Sequence, residues 1–329
     1  MEQSAVIKSK VDISRNLNGY SFPHKLSSQE AEIIIQKVKN VFSDSKYDFT
    51  LHKINELSQS ELDLLEEREL MDDEFLINAN GALLFNSDKT ICILINGLDH
   101  IKIQVIGYND IKGLYKIANE IDDTLESHLE YAFDKDLGYL TTCPVNVGTG
   151  LKVTNTVHIP SIEKLKQVDD YYKIAHKIGV NFKGVYGKTK SILGSLYKIS
   201  NTIMIGRSEE NIIQSVESIS NDLSKREYES REILKNVHKI DLEDEIFRSL
   251  AILSSARVIT NSELMKCLSN VKLGIEMGYI DDVNLEKVIN LMTGKQPYLK
   301  IISAYDEEDK IERASYIRRE FSLANRNNK

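Results

Sequence analysis

"ALLFNSDKTICILINGLDHIKIQVI", Ala82 to Ile106, is the stretch of sequence that decides the fold. Two apolar runs flank the polar residues Asn-Ser-Asp-Lys, a composition typical of a turn between strands. The run from His100 to Ile106 then alternates between polar and apolar residues, which is typical of a half-buried strand. The stretch therefore predicts three successive antiparallel strands.

Helical patterns lie on both sides of these strands. The segment Ser27 to Phe42 opens with a capping box, Ser-x-x-Glu, and places its apolar residues on one helical stripe. Asp110 to Phe133 and Ser161 to Ile178 are predicted as further helices, while "VNFKGVYG" and "LYKISNTIMIG" bring back residues that favour strands. For residues 1–236 we predict an α+β domain, a mostly antiparallel sheet flanked by helices.

The chain from Ser208 onward is almost free of strand signals. Ser208-x-x-Asn211 predicts the start of a helix that runs to about Asn236. The later segments "SLAILSSARVI", "NSELMKCLSNVKLGIEMGYI" and "NLEKVINLM" repeat apolar residues at helical spacing. We therefore predict a second, all-α domain over residues 237–329.

The composition describes a globular chain with an acidic balance. Its 329 residues are 41% hydrophobic and 28% charged, and 42 basic against 50 acidic residues give a net charge of −8. This charge argues against a nucleic-acid or anionic-membrane partner. No apolar run approaches the roughly 20 residues of a membrane span, and "MEQSAVIKSK" lacks the core of a secretory signal, so a cytoplasmic location is predicted. The widely spaced Cys92, Cys143 and Cys267 predict neither a zinc site nor a disulfide framework.

Several motifs occur in a fixed order along the first domain: "RNLNGYSFP", "DHIKIQ", "YAFDKDLGYLTTCPVNVGTGL", "GVYG" and "YKISN". In this order they resemble the ATP:guanido phosphotransferases, the family of creatine and arginine kinases. "IDLEDEIFRSLAIL" and "KCLSNVKLGIEMGYI" look like the helical C-terminal domain of the bacterial protein-arginine kinases. The resemblance implies transfer of the γ-phosphoryl group of ATP, bound with magnesium, to arginine side chains of proteins.

Such a transfer needs cations that hold the triphosphate, and arginine suits this task because its planar fork binds two oxygens at once. Where the family has a serine-serine-arginine-x-arginine motif, this chain has Lys8-Ser9-Lys10-Val11-Asp12, and where it has three further arginines, this chain has Lys102, Lys152 and Lys183. Lysine keeps the charge without the bidentate geometry, and Asp12 opposes the phosphates. The resemblance assigns nine more residues to the nucleotide site: Val153, Thr154, Asn155, Thr156, Gly184, Val185, Tyr186, Gly187 and Lys188. We therefore predict weak binding of ATP with magnesium at best.

The family's general base is also missing. Its asparagine-glutamate-glutamate-aspartate-histidine run reads Asn96-Gly97-Leu98-Asp99-His100 here, so the second glutamate, the expected base, is Leu98. Leucine cannot accept a proton. Neighbouring Asp99 should point to the opposite face of the strand, which leaves it poorly placed to take over the role. Lys188-Thr189-Lys190 replaces the family's acidic loop.

Several residues allow two interpretations. By resemblance Cys143 is a thiolate near the acceptor guanidinium, but it also fits as a small residue in a retained turn. Gly148 and Gly150 could let a phosphate approach the backbone, or serve only the turn. The lysines at positions 183, 188, 190 and 198 fit either an anion-attracting patch or a solvated surface. For Cys92, Cys267, His100 and His158 we predict structural roles in the core.

Near the C-terminus, active relatives carry an arginine-aspartate-x-x-arginine-alanine motif that binds phosphorylated arginine. The matching stretch here, Asp309-Lys310-Ile311-Glu312-Arg313-Ala314, retains only Arg313 and Ala314. We take Arg313 as the remnant of that accessory site.

The joint loss of the arginines and the glutamate predicts a pseudokinase that acts by binding protein. The alternative is a working protein-arginine kinase that tolerates a lysine clamp, and a third interpretation is a phosphotransferase with another acceptor. The resemblance implies a homodimer or heterodimer. It also implies protein partners of the family's kind: a stress-response regulator, an activator protein or the Clp protease system.

Overall fold

The computed structural model describes residues 4–43, 46–71, 80–185, 192–294 and 307–322. Its strands are β1 Val6–Arg15, β2 Thr50–Lys53, β3 Ala82–Phe85, β4 Ile91–Ile95, β5 Ile101–Gly107, β6 Phe133–Asp134, β7 Gly138–Tyr139, β8 Leu151–His158, β9 Val180–Gly184 and β10 Leu196–Asn201. All but β6 and β7 form one sheet in the order β2-β3-β4-β5-β1-β8-β10-β9, with every neighbouring pair antiparallel. The predicted antiparallel sheet is confirmed.

The helices of the described residues are α1 Ser28–Val41, α2 Gln59–Glu67, α3 Ile111–Glu126, α4 Pro160–Lys164, α5 Val168–Lys177, α6 Glu209–Val237, α7 Lys239–Ser255, α8 Asn261–Glu276, α9 Leu285–Met292 and α10 Glu307–Glu320. Helices α1, α3 and α6 cover one face of the sheet and share its main apolar core. The predicted helical C-terminal part is confirmed for the described residues, and a domain boundary at residue 236 stays a prediction. None of the described helices is both long enough and apolar enough to span a membrane.

Strand β1 is the centre of the sheet, although the sequence analysis does not predict it. It pairs with β5 on one side and with β8 on the other. Its odd-numbered Val11 and Ile13 are buried in the helix-covered core. Since side chains of a strand alternate between faces, Lys8, Lys10 and Asp12 point to the opposite face.

Local signals fix several elements where the sequence predicts them. The capping box of α1 is complete, because Ser27 Oγ accepts from Glu30 N at 3.2 Å and Ser27 N donates to Glu30 Oε2 at 2.9 Å. Helix α6 begins after Ser208, whose hydroxyl accepts from Asn211 N at 3.2 Å. The turn between β3 and β4 is closed at Lys89, which has a left-handed φ of 56°.

Two predicted helices have different limits in the structure. The helix predicted over Asp110 to Phe133 is α3 and ends at Glu126, where Ser127 Oγ donates to Thr124 O at 2.7 Å and satisfies a terminal carbonyl. The helix predicted over Ser161 to Ile178 is divided into α4 and α5. The division lies at Lys166, whose φ of 59° is incompatible with continuing a right-handed helix.

A buried ionic network joins α4 and α6 to the C-terminal helix α8. Glu227 on α6 accepts from the backbone N–H groups of Ser161 and Ile162 on α4, at 3.0 to 3.1 Å, and from Arg231 Nε at 3.2 Å. Arg231 also pairs with Glu276 on α8 at 2.9 Å. Burial raises the pKa of the Glu227 carboxyl although Arg231 opposes the shift. Because each charge has a partner, the network can fix α4, α6 and α8 together without an isolated buried charge.

Candidate functional site

Strand pairing collects the predicted clamp residues on the face of the sheet that is opposite to α1, α3 and α6. Asp12 lies directly across from Lys152 on β8, Lys198 lies across from Lys183, and Ser14 lies across from Lys102. Opposed residues of antiparallel strands share a face. We call this surface the cationic face, and it consists of Asp12 and six lysines: Lys8, Lys10, Lys102, Lys152, Lys183 and Lys198. The structure therefore brings together the five positions where the family has clamp arginines: Lys10, Asp12, Lys102, Lys152 and Lys183.

The other residues predicted for nucleotide binding divide between the two faces. Thr154 and Thr156 alternate with Asn155 on β8 and belong to the cationic face. Ser9, Val11, Val153 and Asn155 belong to the helix-covered face, where Ser9 Oγ donates to Asn155 Oδ1 at 2.7 Å. Gly184 ends β9 and Val185 follows it. Tyr186, Gly187, Lys188 and Lys190 lie outside the described residues.

The lysines of β1 are buried, with residue exposures of 8% for Lys8 and 7% for Lys10. A buried ammonium group needs acceptors, and the turn after α2 provides them. Lys8 Nζ lies 3.7 Å from Glu69 Oε1, and Lys10 Nζ donates to Glu69 O at 2.8 Å. The second carboxylate oxygen of Glu69 pairs with Lys198 Nζ at 2.9 Å. One glutamate thus connects β1 with β10, across β8.

The electrostatics of this contact favour an ionised Glu69. Burial by itself would raise the pKa of the carboxyl, but the charges of Lys8, Lys198 and Lys10 outweigh burial and lower the pKa to about 2. The carboxylate is therefore charged throughout the physiological range. Sequence reasoning missed Glu69 because it belongs to no motif. The available signal was the alternation Lys-x-Lys-x-Asp in β1, since two lysines on one face of a central strand require a nearby anion.

Lys10 offers no free donor to a triphosphate at this end of the cationic face. Lys10 Nζ has three acceptors: Glu69 O at 2.8 Å, Gln104 Oε1 at 2.9 Å with the amide oriented toward the lysine, and Asp12 Oδ1 at 3.4 Å. An ammonium group has three donors, so Lys10 has none left for a phosphate. The described residues include no cluster of three or more His, Cys, Asp or Glu side chains that could hold a metal ion.

The position of the missing base is open to solvent but has no proton acceptor. Leu98 is 38% exposed, whereas Asp99 is 3% exposed. The Asp99 Oδ1 atom accepts from Asn16 Nδ2 and from the backbone N–H of Thr142, both at 2.7 Å. Asp99 therefore holds the loop that carries Cys143 in place.

The turn around Cys143 has strict backbone requirements. Cys143 O accepts from Thr141 Oγ1 at 2.8 Å and from Asn146 N at 2.9 Å, and the side chain is partly exposed. Gly150 has a φ of 64°, and an added Cβ would lie 2.5 Å from Ser14 O. Gly148 is similarly close to the backbone of Ile205, at 2.9 Å. The turn itself therefore explains both glycines.

The remaining cysteines and the two histidines occupy structural positions, as predicted. Cys92 and Cys267 are buried, and burial raises the pKa of both thiols, that of Cys267 to about 11. His100 Nδ1 accepts from Leu17 N at 3.0 Å, and His158 Nε2 lies 2.8 Å from Ser269 Oγ. Burial lowers the pKa of both imidazoles, so they remain neutral within the core.

Arg313 lies within the helical part of the chain and not on an open surface. It is 1% exposed, and its Nη1 donates to the carbonyl of Ile259 at 2.9 Å. This contact links α10 to the segment that precedes α8. A role of Arg313 in binding phosphoarginine stays a prediction.

The fold of this chain is similar to the folds of solved guanidino kinases. The structure is similar to that of lombricine kinase, with a TM-score of 0.59 at 20% sequence identity over 68% of this chain and 66% of that chain. It is also similar to the duplicated taurocyamine kinase of Schistosoma mansoni, with a TM-score of 0.61 at 18% identity over 84% of this chain and 47% of that chain. At these identities the likeness shows the fold.

Comparison with known sequences identifies the family to which this chain belongs. Residues 31–230 match the model of the ATP:guanido phosphotransferase C-terminal catalytic domain, and residues 239–329 match that of the protein-arginine kinase McsB C-terminal domain. The protein-arginine kinase of Clostridium kluyveri is 36% identical over 97% of this chain and 95% of the relative. That of Bacillus subtilis is 32% identical over 98% and 91%. The chain therefore belongs to the ATP:guanido phosphotransferase family, in its protein-arginine kinase branch.

Proposed function

We propose that this member of the branch is a pseudokinase, which keeps the kinase fold but acts by binding another protein. The observation that carries the proposal is the chemistry at position 98. Leu98 cannot accept a proton, and the acid that follows it in the sequence, Asp99, is buried and hydrogen-bonded to the backbone of the Cys143 loop. A guanidinium group is a very weak nucleophile, so its attack on a phosphoryl group needs a carboxylate to orient or deprotonate it.

The loss of arginine geometry supports the same proposal. Removing one well-placed electrostatic donor typically costs about 3 kcal/mol of transition-state stabilisation, or roughly two orders of magnitude in rate. Here several clamp positions are lysine, and Asp12 places a carboxylate directly across from Lys152. These changes all reduce the rate, even if their effects do not add.

An open groove at one edge of the sheet supports the protein-binding part of the proposal. Strand β9 is one of the two edge strands of the described sheet, and beside it lies a cavity of about 960 Å³. Tyr172, Phe182 and Ile203 contribute to its lining, and Ile203 is itself exposed. Exposed apolar side chains beside a sheet edge are typical of surfaces that bind other proteins. We propose a cytoplasmic protein partner, of the stress-response regulator, activator or Clp protease type, and a dimeric state.

The test is a search for phosphoarginine after incubation of the protein with ATP, magnesium and an arginine-rich protein. The protein-arginine kinase of Bacillus subtilis, assayed in parallel, is the positive control. We expect phosphoarginine from the control and none from this chain.

The second candidate is an active kinase with a lysine clamp, which the concentration of six lysines on one face favours. Phosphoarginine formed by the unmodified chain, and lost in a Lys152→Gln variant, would establish that candidate and refute the pseudokinase.

A further inference from the structure

The turn after α2 contacts the cationic face with its backbone as well as with its side chain. Arg68 O accepts from Lys8 Nζ at 3.0 Å, and Glu69 O accepts from Lys10 Nζ at 2.8 Å. Leu70 O accepts from the amide of Gln104 at 3.0 Å. Three consecutive backbone carbonyls of the turn therefore accept hydrogen bonds from three side chains. Two are lysines of the cationic face, and the third is Gln104 on the neighbouring strand β5. A run of three matched hydrogen bonds fixes both the position and the direction of the turn.

Apolar contacts hold the same turn from the other side. Leu70 and Met71 are almost fully buried, in a cluster with Leu83, Cys92 and Leu94. The backbone at Glu69 is left-handed, with a φ of 59°, a conformation that glutamate rarely adopts. The surrounding contacts must therefore compensate the local strain of this conformation. This combination is typical of a segment that is built into a site.

The position of the carboxylate decides what the site can accept. Glu69 lies within ion-pair distance of Lys8 and Lys198, and its backbone carbonyl occupies a donor of Lys10. An anionic ligand at this end of the face would have to displace the carboxylate or lie beside it. Two like charges in contact at a partly buried site repel strongly, since the effective dielectric is far below that of water.

We propose that the turn Arg68–Met71 is a built-in occupant of the cationic face, in which the carboxylate of Glu69 takes the place of a phosphate group of an external ligand. The chain thereby binds its own segment at Lys8, Lys10 and Lys198 and excludes polyphosphate ligands such as nucleoside triphosphates from them. This inference rests on the proposed function, because it explains how the fold can keep six lysines together without a nucleotide.

The test compares two variants that differ only in charge. Glu69→Asn and Glu69→Asp introduce side chains of equal size, and both residues tolerate a left-handed backbone. The probe is sodium tripolyphosphate, titrated by calorimetry at low ionic strength. We expect Glu69→Asn to bind it at least tenfold more tightly than the wild type, and Glu69→Asp to remain within about threefold of the wild type. Equal affinities of the two variants would overturn the proposal.

A second step identifies the lysines that the carboxylate neutralises. Adding Lys198→Gln to Glu69→Asn should remove most of the gain in tripolyphosphate affinity, because Lys198 pairs directly with that carboxylate. A gain that survives this change would show that the anion binds elsewhere and would count against the proposal. Should Glu69→Asn fail to fold, as judged by circular dichroism, Glu69→Gln replaces it in the same comparison.

The tripolyphosphate titration tests the built-in occupant, and the phosphoarginine assay tests the pseudokinase. Either proposal can be refuted without the other. Phosphoarginine made by the wild-type chain refutes the pseudokinase whatever the affinity for tripolyphosphate. Unchanged tripolyphosphate affinity after loss of the Glu69 charge refutes the built-in occupant, even if the chain makes no phosphoarginine.

Discussion

Replacing Glu69 by glutamine should destabilise the protein at neutral pH, and the effect should fade as the solution is acidified. Burial would raise the pKa of the Glu69 carboxyl, but Lys8, Lys198 and Lys10 together lower it from 4.5 to about 2. A shift of this size corresponds to about 3 kcal/mol of stabilisation. The side chain is 18% exposed, so screening by solvent and salt should reduce the measured effect to about 2 kcal/mol.

The sign of the pH dependence follows from the direction of the shift. Because the pKa in the folded state lies below that in the unfolded state, the contribution is fully present above about pH 5 and is lost as the pH falls toward 2. Urea unfolding of wild type and Glu69→Gln, followed by circular dichroism at several pH values, measures the difference. Glu120→Gln, which removes an exposed carboxylate from α3, is the matched control. A difference that is independent of pH, or no larger than that of the control, would refute the reasoning.

Three further predictions concern the acceptor side of the site. Leu98→Glu alone should yield no phosphoarginine, because a base gains nothing until the phosphoryl group is held in line; product from this single variant would contradict the assigned defect. Asp99→Ala should lower the free energy of unfolding by about 2 kcal/mol, since one buried and one partly buried hydrogen bond, both at 2.7 Å, are lost; an unchanged urea midpoint would argue against its anchoring role. In the folded protein, a thiol reagent such as dithiobisnitrobenzoate should label Cys143 alone, because the other cysteines are buried; equal labelling of all three before unfolding would show that this packing is wrong.

Local signals in the sequence were sufficient for most of the fold. The capping box at Ser27 and the apolar runs on either side of the Asn86 turn depend on residues a few positions apart, so a single segment predicts each of them. The helix that the sequence predicts across Lys166 is interrupted because its backbone there is left-handed. Period and propensity do not report a conformation that the surrounding fold imposes.

At the candidate site the sequence predicts the clamp positions but not the anion that they contact. The clamp positions could be predicted by resemblance, and strand register does bring Lys10, Lys152 and Lys198 to one face. The partner of these lysines could not be predicted, because Glu69 is 59 residues from Lys10 and lies in no recognisable motif. A buried lysine indicates that an anion is nearby, but only the fold shows which one.

The central position of β1 also affects how the chain folds during synthesis. Strand β1 leaves the ribosome well before its neighbour β8, which begins only at Leu151. At typical rates of translation the intervening chain takes on the order of ten seconds to emerge. Throughout this interval β1 lacks β8 and presents unpaired backbone groups. Lys8 and Lys10 then serve a second purpose, because charged side chains along an unpaired strand discourage edge-to-edge association between nascent chains.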